Sequence, residues 1–169
     1  INFLKGNDVR SIDPEKNVAS LSDGSEIQYE KTLLATGSEP IIPTVENLTR
    51  VPFLKLRIMS DAQDHLKAMK YAKSVIVMGT GLVGMHAAEN FVQKGMHVDV
   101  VRARAKKNPC VLPNYFDEEC SLLIQGVFKS KGVEFYLENY AIRVDHRKNK
   151  FIVTLYDGQE LIADLLLVC

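Results

Sequence analysis

The stretch VIVMGTGLVG, residues 75–84, sets Gly79, Gly81 and Gly84 at G-x-G-x-x-G spacing, with Thr80, Leu82 and Val83 between them. Where such a loop joins a buried strand to a helix, each glycine has a separate physical task. The first makes the tight turn, the second lets the backbone approach a pyrophosphate, and the third lets the helix pack against the strand. Phosphate oxygens would then lie on unpaired N–H groups at the helix N-terminus, where the dipole favours negative charge. The chemistry this implies is dinucleotide binding. A methyltransferase-like nucleotide site or a vacant Rossmann unit is the alternative at this point.

The stretch HVDVVRARAKKN, residues 97–108, bears on which dinucleotide. A site for NAD usually ends its second strand in an acid, about twenty residues beyond the glycines, to accept hydrogen bonds from the adenosine ribose. That position falls here at Val101 or Arg102, and no acid is present. Arg102, Arg104, Lys106 and Lys107 stand there instead. A carboxylate would repel a ribose 2′-phosphate, whereas an arginine can grip it through paired charge-assisted hydrogen bonds. Such a contact is worth about 1.5–3 kcal/mol, or on the order of ten- to a hundredfold in affinity. The cations therefore favour NADP. NAD stays open, as does an ordinary solvated loop.

These residues need elements to position them, and the flanking pattern supplies them. SDAQDHLKAMK, residues 60–70, has Ser60 and Gln63 at capping-box spacing and apolar residues at Ala62, Leu66 and Met69, as an amphipathic helix would. SVIVMG reads as a fully buried strand. The next helix runs from Val83 to Lys94, stacks Val83, Ala87 and Phe91 on one face, and stops at Gly95. HVDVV is a second strand. A further helix, from about Asp117 to Lys131, is expected to turn Cys120, Leu123, Val127 and Phe128 inward before a third strand, VEFYL. Strand, helix, strand, helix, strand is one half of a doubly wound parallel sheet.

An internal repeat brackets this unit. LSDGSEIQYEKTLLA, residues 21–35, aligns without gaps over fifteen positions with LYDGQELIADLLLVC, residues 155–169. Asp23-Gly24 and Asp157-Gly158 are hairpin-turn dipeptides, since glycine tolerates the positive φ that such turns require. Shorter strands, DVRSID and AIRVDH, precede the two copies. Each copy reads as an antiparallel meander feeding one buried apolar strand. The fold class is α/β, a Rossmann-like parallel sheet with an antiparallel β-meander, flanked by a second, partial meander.

Composition limits the remaining choices. With 169 residues, 46% of them hydrophobic, the chain can bury a core as one domain or one domain plus part of another. Twenty-one basic residues balance twenty-one acidic ones, so no net field draws it to nucleic acid or an anionic membrane. The apolar runs are too short to span a bilayer, and the first residues show no signal-peptide pattern. The expected location is the cytoplasm, with the mitochondrion as the alternative. Cys110, Cys120 and Cys169 fit neither a disulfide framework nor a zinc site and are expected to be free thiols. His65, His97 and His146 show no metal-ligand spacing.

Taken in order, LLATGSEPIIP, then SVIVMGTGLVGMHAAENFVQKGMHVDVV, then LPNYFDEECSLLIQGVFKSKGVEFYLE and DGQELIADLLLVC resemble the FAD- and NAD(P)-dependent pyridine nucleotide-disulfide oxidoreductases with two dinucleotide domains. That superfamily includes ferredoxin and rubredoxin reductases, NADH peroxidase and oxidase, nitrite reductase flavoproteins and apoptosis-inducing factor-like proteins. The resemblance implies that Ala35, Thr36 and Gly37 leave the FAD domain close to the flavin nucleotide, and that the central glycine motif binds the nicotinamide dinucleotide. It also implies that residues 1–52 are the late part of the first FAD-domain segment plus a linker, and that residues 53–169 are the NAD(P)-binding domain. Pro40, Pro43 and Pro52 mark that linker.

The implied parent is an NAD(P)H-dependent flavoprotein oxidoreductase passing hydride to FAD and electrons to a small redox protein or small-molecule acceptor. A homodimer is its candidate assembly. The alternative is a nucleotide-responsive binding module like apoptosis-inducing factor. This stretch lacks the family's FAD glycine motif, so it is expected to bind NAD(P)H but not retain FAD, and to be inactive alone. Where the family commonly has a glutamate two residues after the third glycine, this chain has His86, which could line the nicotinamide pocket or be an ordinary helix residue. No Cys-x-x-Cys or Cys-x4-Cys pair is present, so this stretch carries no disulfide chemistry and no catalytic residue is assigned.

Overall fold

A computed structural model describes residues 2–104 and 109–169. Two compact units divide at Ser38/Glu39. In the first, β1 (Val9–Asp13), β2 (Val18–Leu21) and β3 (Glu26–Gln28) form an antiparallel sheet in sequence order. The segment after β3, residues 31–37, joins none of the described strands and is exposed. The buried closing strand expected there is not formed, because a parallel strand needs a neighbour for its backbone N–H and C=O groups.

The second unit contains a single turn of 3₁₀ helix at Leu48–Arg50, then α1 (Met59–Ala68), β4 (Ser74–Met78), α2 (Leu82–Gln93), β5 (His97–Arg102) and α3 (Glu118–Ser130). There follow β6 (Val133–Arg147), β7 (Lys150–Leu155), β8 (Glu160–Ala163) and β9 (Leu165–Val168). They build one sheet in the order β8-β7-β6-β5-β4-β9. β6, β5, β4 and β9 are parallel, while β6, β7 and β8 are an antiparallel meander. VEFYL and AIRVDH are therefore one fifteen-residue strand that serves both halves.

Alternation along the strands fills two cores. Val75 and Val77 of β4, Val98 and Val100 of β5, and Leu165 and Leu167 of β9 pack against Met85, Ala88 and Phe91 of α2. Ile76, Met78, Val101, Leu166 and Val168 face the other way, onto Val144, Val153, Leu155 and Leu161 of the meander. A strand covered on both faces must be apolar throughout, which is why SVIVM has no alternation. Val45 and Leu48 enter the second core, and Leu54 bridges to Leu167. The second compact unit starts at Glu39, so residues 39–52, expected in the tail and linker, group with it.

Two helix faces differ from expectation. In α3, Ser121, Ile124 and Phe128 turn inward, while Cys120, Leu123 and Val127 are exposed. Cap geometry sets this phase, because Asp117 Oδ1 accepts from the Cys120 N–H at 2.9 Å. In α1, His65 is buried against Phe91 with Nε2 3.0 Å from the Lys55 carbonyl oxygen, and Leu66 is exposed. The α1 cap is not Ser60 with Gln63; Asp61 accepts from the Arg57 and Ile58 N–H groups at 2.8 and 3.0 Å. No helix among the described residues is long and apolar enough to cross a membrane. Cys110, Cys120 and Cys169 are free thiols.

Candidate functional site

The glycine turn lies at the C-terminal edge of the parallel sheet, between β4 and α2. Gly79 has φ 142°, and a Cβ there would come 2.4 Å from the Cys169 carbonyl oxygen, so a side chain would push β9 away. A Cβ on Gly84 would come 2.4 Å from the Gly79 carbonyl oxygen and force the helix off the turn. Gly81 is different. Its φ of −81° suits any residue, and a Cβ there would meet nothing within 4 Å. The fold itself needs no glycine at 81.

The space beside Gly81 is a cavity of about 490 Å³ lined by Gly79, Thr80, Gly81, Arg102, Ala103, Arg104 and Cys169, with Ile41, Pro43, Pro113 and Asn114 completing the wall. It meets the N-terminus of α2. That helix has Gly81 as its N-cap, no side-chain cap and no acid in its first turn, whereas Asp61 and Asp117 cap α1 and α3. Two helices bring their own carboxylate to their N-terminal dipole; α2 has none, and its N-cap residue Gly81 lines the cavity. Although Cys169 as a residue is exposed, burial around its thiol pushes that group up to about 12. A neutral thiol is compatible with an anion nearby; a thiolate would not be.

Both arginines expected at the end of the second strand reach the cavity wall, in different states. Arg102 is 7% exposed. Its Nη1 donates to the Leu137 carbonyl at 2.6 Å, and its Nε and Nη2 lie 3.4 and 3.2 Å from the Arg104 carbonyl oxygen. The guanidinium thus ties the end of β5 to β6. Arg104 is exposed. Lys106 and Lys107 lie outside the described residues.

Leu82 and Val83 occupy the first turn of α2 with half-exposed side chains. His86 is exposed on the same helix and does not form part of the wall. Ala35, Thr36 and Gly37 belong to the first unit, where they are exposed and outside its strands, Gly37 with a φ of 78°. Ile41, Pro43, Ala103, Pro113, Asn114 and Cys169 were not expected at the site. Of these only Cys169 carried a signal, since the repeat sets it opposite Ala35.

A larger groove, about 560 Å³, lies between α3, β6 and the β7–β8 turn, lined by Glu118, Gln125, Lys129, Glu138 and Asp157 among others. It has mixed charge, and the α3 N-terminus that reaches it at Glu118 is already capped by Asp117. The described residues contain no group of three or more His, Cys, Asp or Glu side chains suited to a metal.

All 169 residues match the family model described as pyridine nucleotide-disulphide oxidoreductase. Over 160 residues the chain is 36% identical to the epsilon subunit of NADH-dependent phenylglyoxylate dehydrogenase from Aromatoleum evansii, covering 95% of this chain and 37% of that protein. It is 30% identical over 159 residues to rubredoxin-NAD(+) reductase from Ectopseudomonas oleovorans, covering 94% of this chain and 40% of the relative. A ferredoxin reductase from Rhodopseudomonas palustris superposes with a TM-score of 0.84 at 28% identity, over 96% of this chain and 40% of that one. The chain thus spans about two fifths of the length of these proteins. With a glycine turn shaped by close backbone contacts at two glycines and open at the third, the chain belongs to the pyridine nucleotide-disulphide oxidoreductase family.

Proposed function

We propose that this chain is the nicotinamide-dinucleotide-binding part of an FAD-dependent oxidoreductase, in which hydride passes from NAD(P)H to FAD and electrons go on to a small redox protein or small acceptor. The observation that carries the reading is the empty space over Gly81, which the fold does not require and which a pyrophosphate would fill. The bound nicotinamide supplies the hydride; the chain holds and orients it. The N–H groups of Gly81, Leu82, Val83 and Gly84 receive the phosphates at the α2 N-terminus. Ile41, Pro43 and Pro113 give the cavity apolar walls that limit water there. Residues 1–38 are read as the end of an FAD domain. Ala35 to Gly37 alone offer a flavin no enclosure, so the purified chain is expected to be colourless, and stoichiometric flavin absorbance after gel filtration would overturn that expectation.

NADH is the expected nucleotide. The two relatives above are named for NADH or NAD(+), and Arg102, the residue that most favoured NADPH, is engaged with two carbonyls. The NADPH reading rests on Arg104, exposed on the cavity wall. Titration of the chain with both nucleotides tests the function and separates these two. Gly81→Val should abolish binding while leaving the unfolding midpoint nearly unchanged, because its Cβ has no protein neighbour. A variant that binds as well as the parent would place the site elsewhere. If NADPH is preferred, Arg104→Glu should weaken it on the order of ten- to a hundredfold and leave NADH nearly unchanged.

A further inference from the structure

The loop after β5 returns to the glycine turn through Leu112. The Leu112 N–H donates to the Thr80 carbonyl at 2.8 Å, and the Leu112 carbonyl accepts from the Tyr115 and Phe116 N–H groups at 3.0 and 3.2 Å. Its φ is 52°, in the left-handed region that leucine rarely adopts. What holds it there is burial. Cys110, Val111 and Leu112 are all buried, and Val111 and Leu112 join the helix-side core. Immediately after them, Pro113 and Asn114 line the cavity. Strained backbone of this kind persists only where the surroundings over-determine it.

The consequence falls on Gly81. A trans peptide is planar, so the Thr80 carbonyl and the Gly81 N–H point in opposite directions. Holding the carbonyl toward Leu112 turns the N–H to the other side. We propose that Leu112 is a positioning residue of the dinucleotide site, whose left-handed backbone fixes the Thr80–Gly81 peptide plane so that the Gly81 N–H is presented to the phosphates. This inference rests on the function proposed above.

Two substitutions separate positioning from simple filling of the core. Leu112→Ile keeps the apolar volume, but its β-branch resists φ 52°; Leu112→Gly adopts that φ freely and leaves a void. If Leu112 positions the turn, Leu112→Ile should lose ~tenfold or more in NADH affinity with a small change in unfolding midpoint, as expected for losing a charge-assisted hydrogen bond. Leu112→Gly, measured well below its lowered midpoint, should stay within about threefold of the parent, because its backbone keeps the same plane. Leu112→Val replaces the isoleucine variant, and Leu112→Asn the glycine one, should either fail to fold.

Amide hydrogen exchange at residue 112 gives a second readout, with protection kept in the glycine variant and lost in the isoleucine one. Isoleucine binding like the parent, or the folded glycine variant losing as much as isoleucine, would overturn the inference while the function stood. A parent chain that binds neither NADH nor NADPH would overturn both.

Discussion

The two copies of the meander agree in detail until their last segment. Val9 pairs with Leu21 and then Ser11 with Ser20; Ala141 pairs with Leu155 and then Arg143 with Thr154, so both ladders slip at the same place. At the turn, Leu21 N–H donates to Ser25 and Gly24 N–H to Leu21, as Leu155 does to Gln159 and Gly158 to Leu155. Asp23 and Asp157 each accept from the N–H two residues on at 2.9 Å; the Ser25 hydroxyl first and then its N–H lower the Asp23 carboxyl, and the Gln159 N–H lowers that of Asp157. Then they part. Leu167 is fully buried in β9 beside β4, whereas Leu33, its counterpart, is 88% exposed. Turns and bulges are local and come wherever the residues are; a parallel strand exists only beside its neighbour.

The largest expected effect breaks the comparison at that point. Leu167→Asp should destabilise the second unit by ~4 kcal/mol or more in urea unfolding, since it buries a charge without a partner. Leu33→Asp should change stability by less than ~0.5 kcal/mol. Equal losses would mean that the first copy is as firmly packed as the second.

Asp164 is next. It accepts from Lys150 Nζ at 2.5 Å, from the N–H groups of Lys73 and Ser74, and from the Ser74 hydroxyl, and so ties the start of β9 to β4. The Lys150 contact is the largest cause of a carboxyl lowered from 3.8 to about 2. A depressed acid adds stability above its unfolded pKa and loses it as pH falls through the folded value. Asp164→Asn should therefore cost about 2 kcal/mol at pH 7, with the deficit shrinking between pH ~4 and ~2. Glu30→Gln, at the equivalent position, should cost less than ~0.5 kcal/mol.

Gly24 and Gly158 sharpen the similarity instead. Their φ values are 85° and 91°, so alanine should cost ~1 kcal/mol at either one, read in each unit's own unfolding transition. The smallest effect concerns β5, which has no counterpart in the first unit. Burial is the main cause that raises the Asp99 carboxyl; Glu134 adds to it, and His97, with Nε2 3.1 Å away but out of hydrogen-bond alignment, opposes it. A raised acid loses stability as pH rises through its folded pKa. Asp99→Asn should therefore stabilise the protein at pH 7 by less than ~1 kcal/mol, the gain vanishing in acid.

The glycine turn was legible from its spacing, although the contact that requires Gly79 comes from Cys169, far along the chain; the strands were legible because full burial leaves an unbroken apolar run. The helix faces were less so: in α3 the apolar arc from Leu123 through Val127 to Phe128 is wider than the face that is buried, and the Asp117 cap fixes the phase that turns Ser121, Ile124 and Phe128 inward. The cavity wall was least legible. Ile41, Pro43, Pro113 and Asn114 come from segments far apart in the chain and carry no chemical mark of their own.

By itself the sequence determined the hairpin turns, the alternation of strands and helices from β4 to β6, and the absence of a side chain at Gly81, since these follow from side-chain size, backbone freedom and polarity over a few neighbouring residues. Tertiary structure decided what Arg102 does. A cation at the end of a strand can face a ligand or a backbone carbonyl, and the register shift between β5 and β6 at Arg102, where the Leu137 carbonyl lies 2.6 Å from its Nη1, is a long-range fact that no local pattern encodes.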